Sequence, residues 1–253
     1  MLDYVALTNS QVDRLGDRLK GAEVVSPEDA ALYHEFRAGA DDALAVVTTA
    51  IRVELALTTS SRLKTLESTV AKLRRQTIKL SQIGDLAGCR FTVDNLVEQD
   101  RSVGAVANLF AEHRINDIRE TPHAGYRAVH LYVRANGRRI EVQIRTLLQD
   151  RWANQCEELA RGVGLGLKYG NGPEQIQSPL LVLSERFYRM DLLDKEALAD
   201  IASAEALAEG GNDGVEFKRL MAAALRRYEE WQTMDADAEA MIDRLESDIL
   251  GSE

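Results

Sequence analysis

Apolar residues recur at three- and four-residue spacing through "SPEDAALYHEFRAGADDALAVVTTAIRVELAL", the mark of an amphipathic helix. Ser26 stands where an N-cap belongs and Pro27 at the first helical position, so helix is expected up to about residue 58. A second helix is expected over roughly residues 61–76, "SRLKTLESTVAKLRRQ". After the break "SQIGDLAGC" the pattern changes. "CRFTVD", "RAVHLYVRA" and "RRIEVQIRT" are short, rich in β-branched and aromatic residues and partly alternating, as half-buried strands are. Asn136-Gly137 between the last two signals a tight turn, which makes residues 126–146 an antiparallel hairpin. "DRSVGAVANLFAEHR" reads as one amphipathic helix, and a further strand is expected near "INDIRE". Beyond Thr146 the chain returns to helix in "LLQDRWANQCEELARG", crosses the Gly-rich "GVGLGLKYGNGP" and ends in two or three more helices. In the last of these a three-four stripe runs from Phe217 to Ile249, interrupted by Asp235, and is expected to pack on the domain or on a second subunit. The fold class is therefore α+β: a mixed sheet of about five strands flanked by helices, with helical N- and C-terminal extensions. The divisions expected are 1–58, 59–173 and 174–253.

Composition narrows the function classes. Of 253 residues, 45% are hydrophobic and 28% charged, an ordinary globular mixture. No apolar run approaches the roughly 20 residues needed to cross a bilayer, so no membrane partner is expected. The opening "MLDYVALTNS" lacks a basic segment followed by an apolar run, and no secretory leader is expected. Cys89 and Cys156 stand apart and outside any CxxC pair, which suits reduced thiols in a cytoplasm. The net charge of −10 is carried by the tail: from Asp194 onward there are 16 acidic and 6 basic residues, while the remainder holds 25 of each. A local basic site for a phosphate-bearing ligand fits the first three-quarters of the chain.

Several residues there could carry such chemistry. On a helix, Lys64, Ser68 and Lys72 would share one face, with Arg62 half a turn away. Two ammonium groups and a hydroxyl could grip a polyphosphate while an arginine plane stacks on a base, although a solvated helix face has the same pattern. Asp85 sits just ahead of a strand, where it could hold an ion or simply form a turn. In "RIEVQIRT", alternation puts Glu141, Gln143 and Arg145 on one face and Ile140, Val142 and Ile144 on the other. An acid, an amide and a guanidinium in a row suit magnesium, hydroxyl and phosphate, and Asp85 with Glu141 would make the carboxylate pair that Mg2+ takes alongside substrate phosphates. In "HAGYRAVHLYV", Tyr126 could stack on a base, with Arg127 and His130 nearby; a buried tyrosine bonded through its hydroxyl is the plainer alternative. No GxxxxGK[ST] is present, so P-loop chemistry is not expected.

Taken in order, Arg62/Lys64/Ser68/Lys72, then Asp85/Gly88/Arg90, then Gly125/Tyr126/Arg127/His130, then Glu141/Gln143/Arg145/Thr146 resembles the synthetase domain of RelA/SpoT-type enzymes, including the small alarmone synthetases. The match spans roughly residues 45–170. The resemblance implies a nucleotidyltransferase-like fold and transfer of the β,γ-diphosphate of ATP to the 3′-hydroxyl of GDP or GTP, releasing AMP. It implies that Arg62 stacks on adenine, that Lys64, Ser68 and Lys72 hold ATP phosphates, and that Arg90 joins that ATP set. It further implies that Asp85 binds Mg2+ and that Glu141 assists the metal or activates the hydroxyl. Tyr126 would stack on the acceptor base, with Arg127, His130, Gln143 and Arg145 around the acceptor. Where many members have a lysine-bearing loop before the tyrosine, this chain has "TPHAGY", and where many show "EH..YK" it has Glu157 and Glu158. Two alternatives stay open: a toxin that modifies the 3′ end of tRNA or makes adenosine alarmones, and a non-catalytic nucleotide-binding protein. The C-terminal helices would serve packing, self-association or an antitoxin partner.

Overall fold

Local signals set the helices of the N-terminal region. In the computed structural model, which describes residues 7–163, 166–212 and 214–250, α1 (Asn9–Gly21) opens with a reciprocal capping box between Thr8 and Gln11. Helix α2 (Pro27–Leu55) begins at Ser26, whose hydroxyl accepts from the Asp29 N–H at 3.1 Å, and ends at Ala56.

The next stretch departs from the expected helix over residues 61–76. Ser60–Leu63 form an edge strand, β1, and the helix α3 occupies only Leu66–Arg75. Two local bonds explain the difference. Thr65 caps α3 by accepting from the Ser68 N–H at 3.2 Å, and the Lys64 N–H donates to Leu86 O at 2.8 Å. A four-residue strand is too short to announce itself by period, and its partner lies more than twenty residues away. Lys64 therefore leaves the helical face on which Ser68 and Lys72 sit.

The sheet is completed by β2 (Ala87–Val93), β3 (His113–Asp117), β4 (Val129–Ala135) and β5 (Arg138–Thr146), in the order β1-β2-β5-β4-β3. β1 and β2 are antiparallel, with Arg62 opposite Gly88 and Ser60 opposite Arg90. The β4–β5 turn is Asn136-Gly137, both at positive φ (47° and 72°), as a type I′ hairpin requires. On β4 and β5, Leu131, Val133, Ile140 and Val142 are buried along one face, leaving His130, Tyr132, Glu141 and Gln143 on the other. Helix α4 (Leu96–Leu109) precedes β3.

By internal contacts the chain forms two units. One comprises Met1–Phe91, Gly104–Asn116 and His130–Gln143; the other comprises Thr92–Val103, Asp117–Val129 and Ile144–Glu253. The second unit holds α5 (Leu147–Val163) and the long helices α6 (Glu174–Glu209) and α7 (Val215–Leu250). Trp152, Leu159, Leu180, Phe187, Ala238 and Ile242 belong to its core. The α7 stripe thus packs within the chain over much of its length, while Met221 and Tyr228 remain exposed. Asp235, the polar break in that stripe, meets Arg151 of α5 at 3.0 Å.

Candidate active site

The first unit gathers the residues expected around ATP and metal. Tyr33 of α2 is fully buried and its hydroxyl donates to Lys64 O at 2.8 Å, which fixes the backbone of the β1–α3 connection. From there Lys64 Nζ reaches Asp85 Oδ2 at 2.9 Å, while Lys72, two turns into α3, reaches Oδ1 at 2.7 Å. Burial alone would raise the Asp85 pKa, but the Lys72 and Lys64 ammoniums outweigh it and hold the carboxyl below its ordinary range. Ser68 lies in the first turn of α3, its hydroxyl accepting from Thr65 Oγ1 at 3.1 Å. On the β1–β2 pair, the register puts Arg62 and Arg90 on one face, with the Arg90 Nε donating to Ser60 Oγ at 3.3 Å.

Glu141 is buried on β5. Its Oε1 lies 3.0 Å from His130 Nδ1, and its Oε2 accepts from Gln143 Nε2 at 2.7 Å. Burial pushes its pKa up, yet His130 and Gln143 together bring it below the ordinary value. Burial and the neighbouring Glu141 carboxylate push the Tyr132 phenol well up. Gly88 explains itself here: a Cβ at this position would stand 2.9 Å from Glu141 O, so only glycine lets β2 and β5 approach.

Asp85 and Glu141 line one cavity of about 440 Å³, together with Lys72, Tyr132, Arg114, Arg134 and Arg139. Two hard carboxylates sharing a cavity with cations fit Mg2+ that takes its remaining ligands from phosphates and water. Among the described residues no three or more His, Cys, Asp or Glu side chains form a metal-holding group. The three arginines and Tyr132 were not among the expected site residues. Two-residue steps along the strands find three of them, Arg139 from Glu141 and Tyr132 and Arg134 from His130, whereas Arg114 requires the β3–β4 pairing.

The second unit gathers Tyr126, Arg127 and Arg145. Arg145 Nη2 donates to the Tyr126 hydroxyl at 3.0 Å, its guanidinium carbon lies 5.1 Å from that ring's centroid, and Nη1 meets Asp150 at 2.9 Å. Arg145 is only 4% exposed, so this end of the β5 face is covered instead of open as the alternation suggested. Burial opposes its charge, but Tyr126 and Asp150 raise its pKa regardless. Arg127 turns away from Tyr126 and Arg145. Its Nη2 meets Glu185 at 2.6 Å, its Nε donates to Ser184 Oγ at 3.3 Å, and its guanidinium stacks 4.2 Å over Tyr188. Thr146 is an N-cap: its hydroxyl accepts from the Gln149 N–H at 3.1 Å while Gln149 Oε1 accepts from the Thr146 N–H at 3.2 Å. The same hydroxyl donates to Asp191 Oδ2 at 2.8 Å.

Comparison with known proteins bears on the family and the fold. Residues 61–160 match the family model described as a region found in RelA / SpoT proteins. The uncharacterized protein Rv1366 of Mycobacterium tuberculosis is 38% identical over 209 residues, covering 79% of this chain and 75% of its own. The small alarmone synthetase 1 from Bacillus subtilis shares the fold, at TM-score 0.54 and 22% identity over 68% of this chain and 98% of that one. A GTP pyrophosphokinase family protein from Streptococcus pneumoniae does so at TM-score 0.56 and 23% identity, over 72% and 98%. The chain carries a domain of the RelA/SpoT family.

Proposed function

We propose that this protein is an ATP-dependent pyrophosphotransferase that moves the β,γ-diphosphate of ATP to the 3′-hydroxyl of GDP or GTP. The observation that carries the reading is Asp85, gripped by Lys64 and Lys72 and sharing a cavity with Glu141. A carboxylate bridging two lysines is a charge arrangement that a metal-bound polyphosphate can take over: the ammoniums exchange one anion for another. Arg62 and Arg90 offer guanidinium planes to adenine, and Lys64, Ser68 and Lys72 serve the ATP phosphates. Tyr126 offers its ring to the acceptor base and Arg145 braces that ring, while His130 and Gln143 hold Glu141. Arg127 serves by holding its neighbour Tyr126.

In the reaction the acceptor 3′-hydroxyl gives up its proton to solvent as its oxygen bonds to the β-phosphorus, the bond from that phosphorus to the α–β bridging oxygen breaks, and AMP leaves with that electron pair. Mg2+ held by Asp85 and Glu141 would neutralise charge on the transferring phosphates. Glu141, its pKa below the ordinary range, is ionised at neutral pH and better suited to metal ligation and orientation than to strong proton abstraction.

The test uses purified protein, Mg2+ and ATP labelled in the β position, with GDP, GTP, ATP and deacylated tRNA offered separately. Label appearing on GDP or GTP with equimolar AMP is expected. Label on tRNA or ATP instead would replace the acceptor, and bound ATP with no transfer at all would leave a binding protein.

A further inference from the structure

Tyr126 sits in a turn that does not hold itself. The Tyr126 N–H donates to His123 O at 2.9 Å, and the two residues between them, Ala124 and Gly125, have φ of 51° and 88°. Two consecutive positive φ values are those of a type I′ turn, which favours asparagine, aspartate or glycine at its first central position. Alanine there meets the Cβ–carbonyl clash of the left-handed region. The β4–β5 turn has the favoured Asn136-Gly137, and a Cβ at Gly137 would meet nothing within 4 Å. A Cβ at Gly125 would instead stand 2.8 Å from the Trp152 ring and 3.2 Å from Ser184 Cβ. One turn is sustained by its sequence, the other by its surroundings.

Those surroundings are largely α6. Ser184, 3% exposed, donates its hydroxyl to Gly125 O at 2.5 Å and accepts from Arg127 Nε. Glu185 takes Arg127 Nη2 and the Tyr188 ring stacks on the guanidinium, while Nη1 donates outside α6 to Arg119 O. Both chain neighbours of Tyr126 are thus pinned by one helix, and Trp152, whose ring centroid lies 6.4 Å from that of Tyr126, is itself tied to α6 through Nε1 donating to Leu180 O at 2.7 Å. We propose that Ser184 and Tyr188 of α6 are positioning residues that set the Tyr126 ring for the acceptor nucleotide, which makes this helix part of the acceptor site although it begins after the family-matched residues 61–160 end. The proposal rests on the reading of Tyr126 as the acceptor platform. Without the Ser184 hydroxyl the Gly125 carbonyl loses its bond, and without the Tyr188 ring Arg127 loses its stacking partner; either frees the turn toward conformations its sequence prefers.

Equilibrium dialysis of the full chain with labelled GDP and, separately, with a non-hydrolysable ATP analogue tests this. Ser184→Ala and Tyr188→Ala are expected to weaken GDP binding about 5- to 10-fold, the loss of one or two modest interactions, with ATP-analogue affinity within about twofold. Tyr188→Phe, which keeps the ring, is expected to restore the GDP affinity that Tyr188→Ala loses. Equal losses for both nucleotides would mean a general structural role and overturn the proposal. Unchanged GDP binding in both alanine variants would overturn it while leaving the functional reading intact. A parent protein that binds the ATP analogue but no GDP would remove the acceptor reading and the proposal together.

Discussion

The two constellations of this molecule are built from opposite materials. The set around Asp85 consists of flexible, charged side chains on partly exposed positions: Lys64, Lys72 and Asp85 retain 13–24% of their side-chain exposure. Each is neutralised by another, and each can exchange its partner for a ligand. The set around Tyr126 is braced, with the Arg145 and Arg127 side chains only 5% and 8% exposed and each paired with a carboxylate, Asp150 for Arg145 and the exposed Glu185 for Arg127. The first resembles a set of hands holding one another until a polyphosphate arrives. The second is a fixed surface. Ion pairs can be exchanged for ligand at modest cost where water still reaches them, whereas a buried arginine must keep its partners. Under the proposed function, the phosphates would meet the first set and the acceptor base the second.

Substitutions can break that contrast, and the largest effect is expected at Glu141. Glu141→Gln removes a charge from the proposed metal pair and should reduce transfer by about a thousandfold or more in kcat, read as AMP released, with thermal stability little changed. Asp85→Asn should act in the same direction; full activity in both variants would remove the metal site. Lys72→Ala is next, with an ATP KM raised on the order of tenfold to a hundredfold from loss of one charge-assisted phosphate contact. The braced set should instead respond through stability. Burial pushes the Asp191 pKa up to about 7, against an ordinary 3.8. Such an acid is released first by the unfolded chain, so stability falls as pH rises from about 4 to about 7 and is level above that. Asp191→Asn lacks this penalty and can still accept from Thr146. Its stability relative to the parent should therefore grow across that window, by on the order of 2–4 kcal/mol, in denaturant titrations at pH 5 and pH 8. A pH-independent difference would contradict the assignment. The smallest effect is expected at Arg139. Replacing it with alanine removes one exposed cation from the cavity of Asp85 and Glu141, and nucleotide binding should weaken about threefold, more at low salt than at high.

The same contrast explains what could be read from the chain alone. The hairpin was legible because Asn136-Gly137 and strict alternation through Glu141 and Gln143 are local signals; the alternation separated the polar from the aliphatic face, but Glu141 and Arg145 on the polar face are buried, not open. Helices α2 and α5 announced themselves by period and, for α2, by Ser26-Pro27. Strand β1 did not, because four residues cannot display a period and its pairing with Ala87–Arg90 is a tertiary fact. Lys64 and Lys72 were expected to share one helical face and hold a polyphosphate; in the structure they converge on Asp85, and through a strand-to-helix connection. The braced set was less legible. Arg127 looks like a ligand group beside Tyr126, and its partners Arg119 O and, about sixty residues away, Ser184, Glu185 and Tyr188 show what it holds. Long-range braces leave no pattern in a single sequence.

The most direct measurement is a crossed pair of Michaelis constants, for ATP and for GDP, in Lys72→Ala and Tyr126→Ala. The division of labour described above predicts that Lys72→Ala raises the ATP KM while leaving that for GDP within about twofold, and that Tyr126→Ala does the reverse, each changed term moving about tenfold or more. If both variants raise both constants together, or if GDP supports no AMP release in the parent, the assignment of one set to ATP and the other to a guanine nucleotide is wrong.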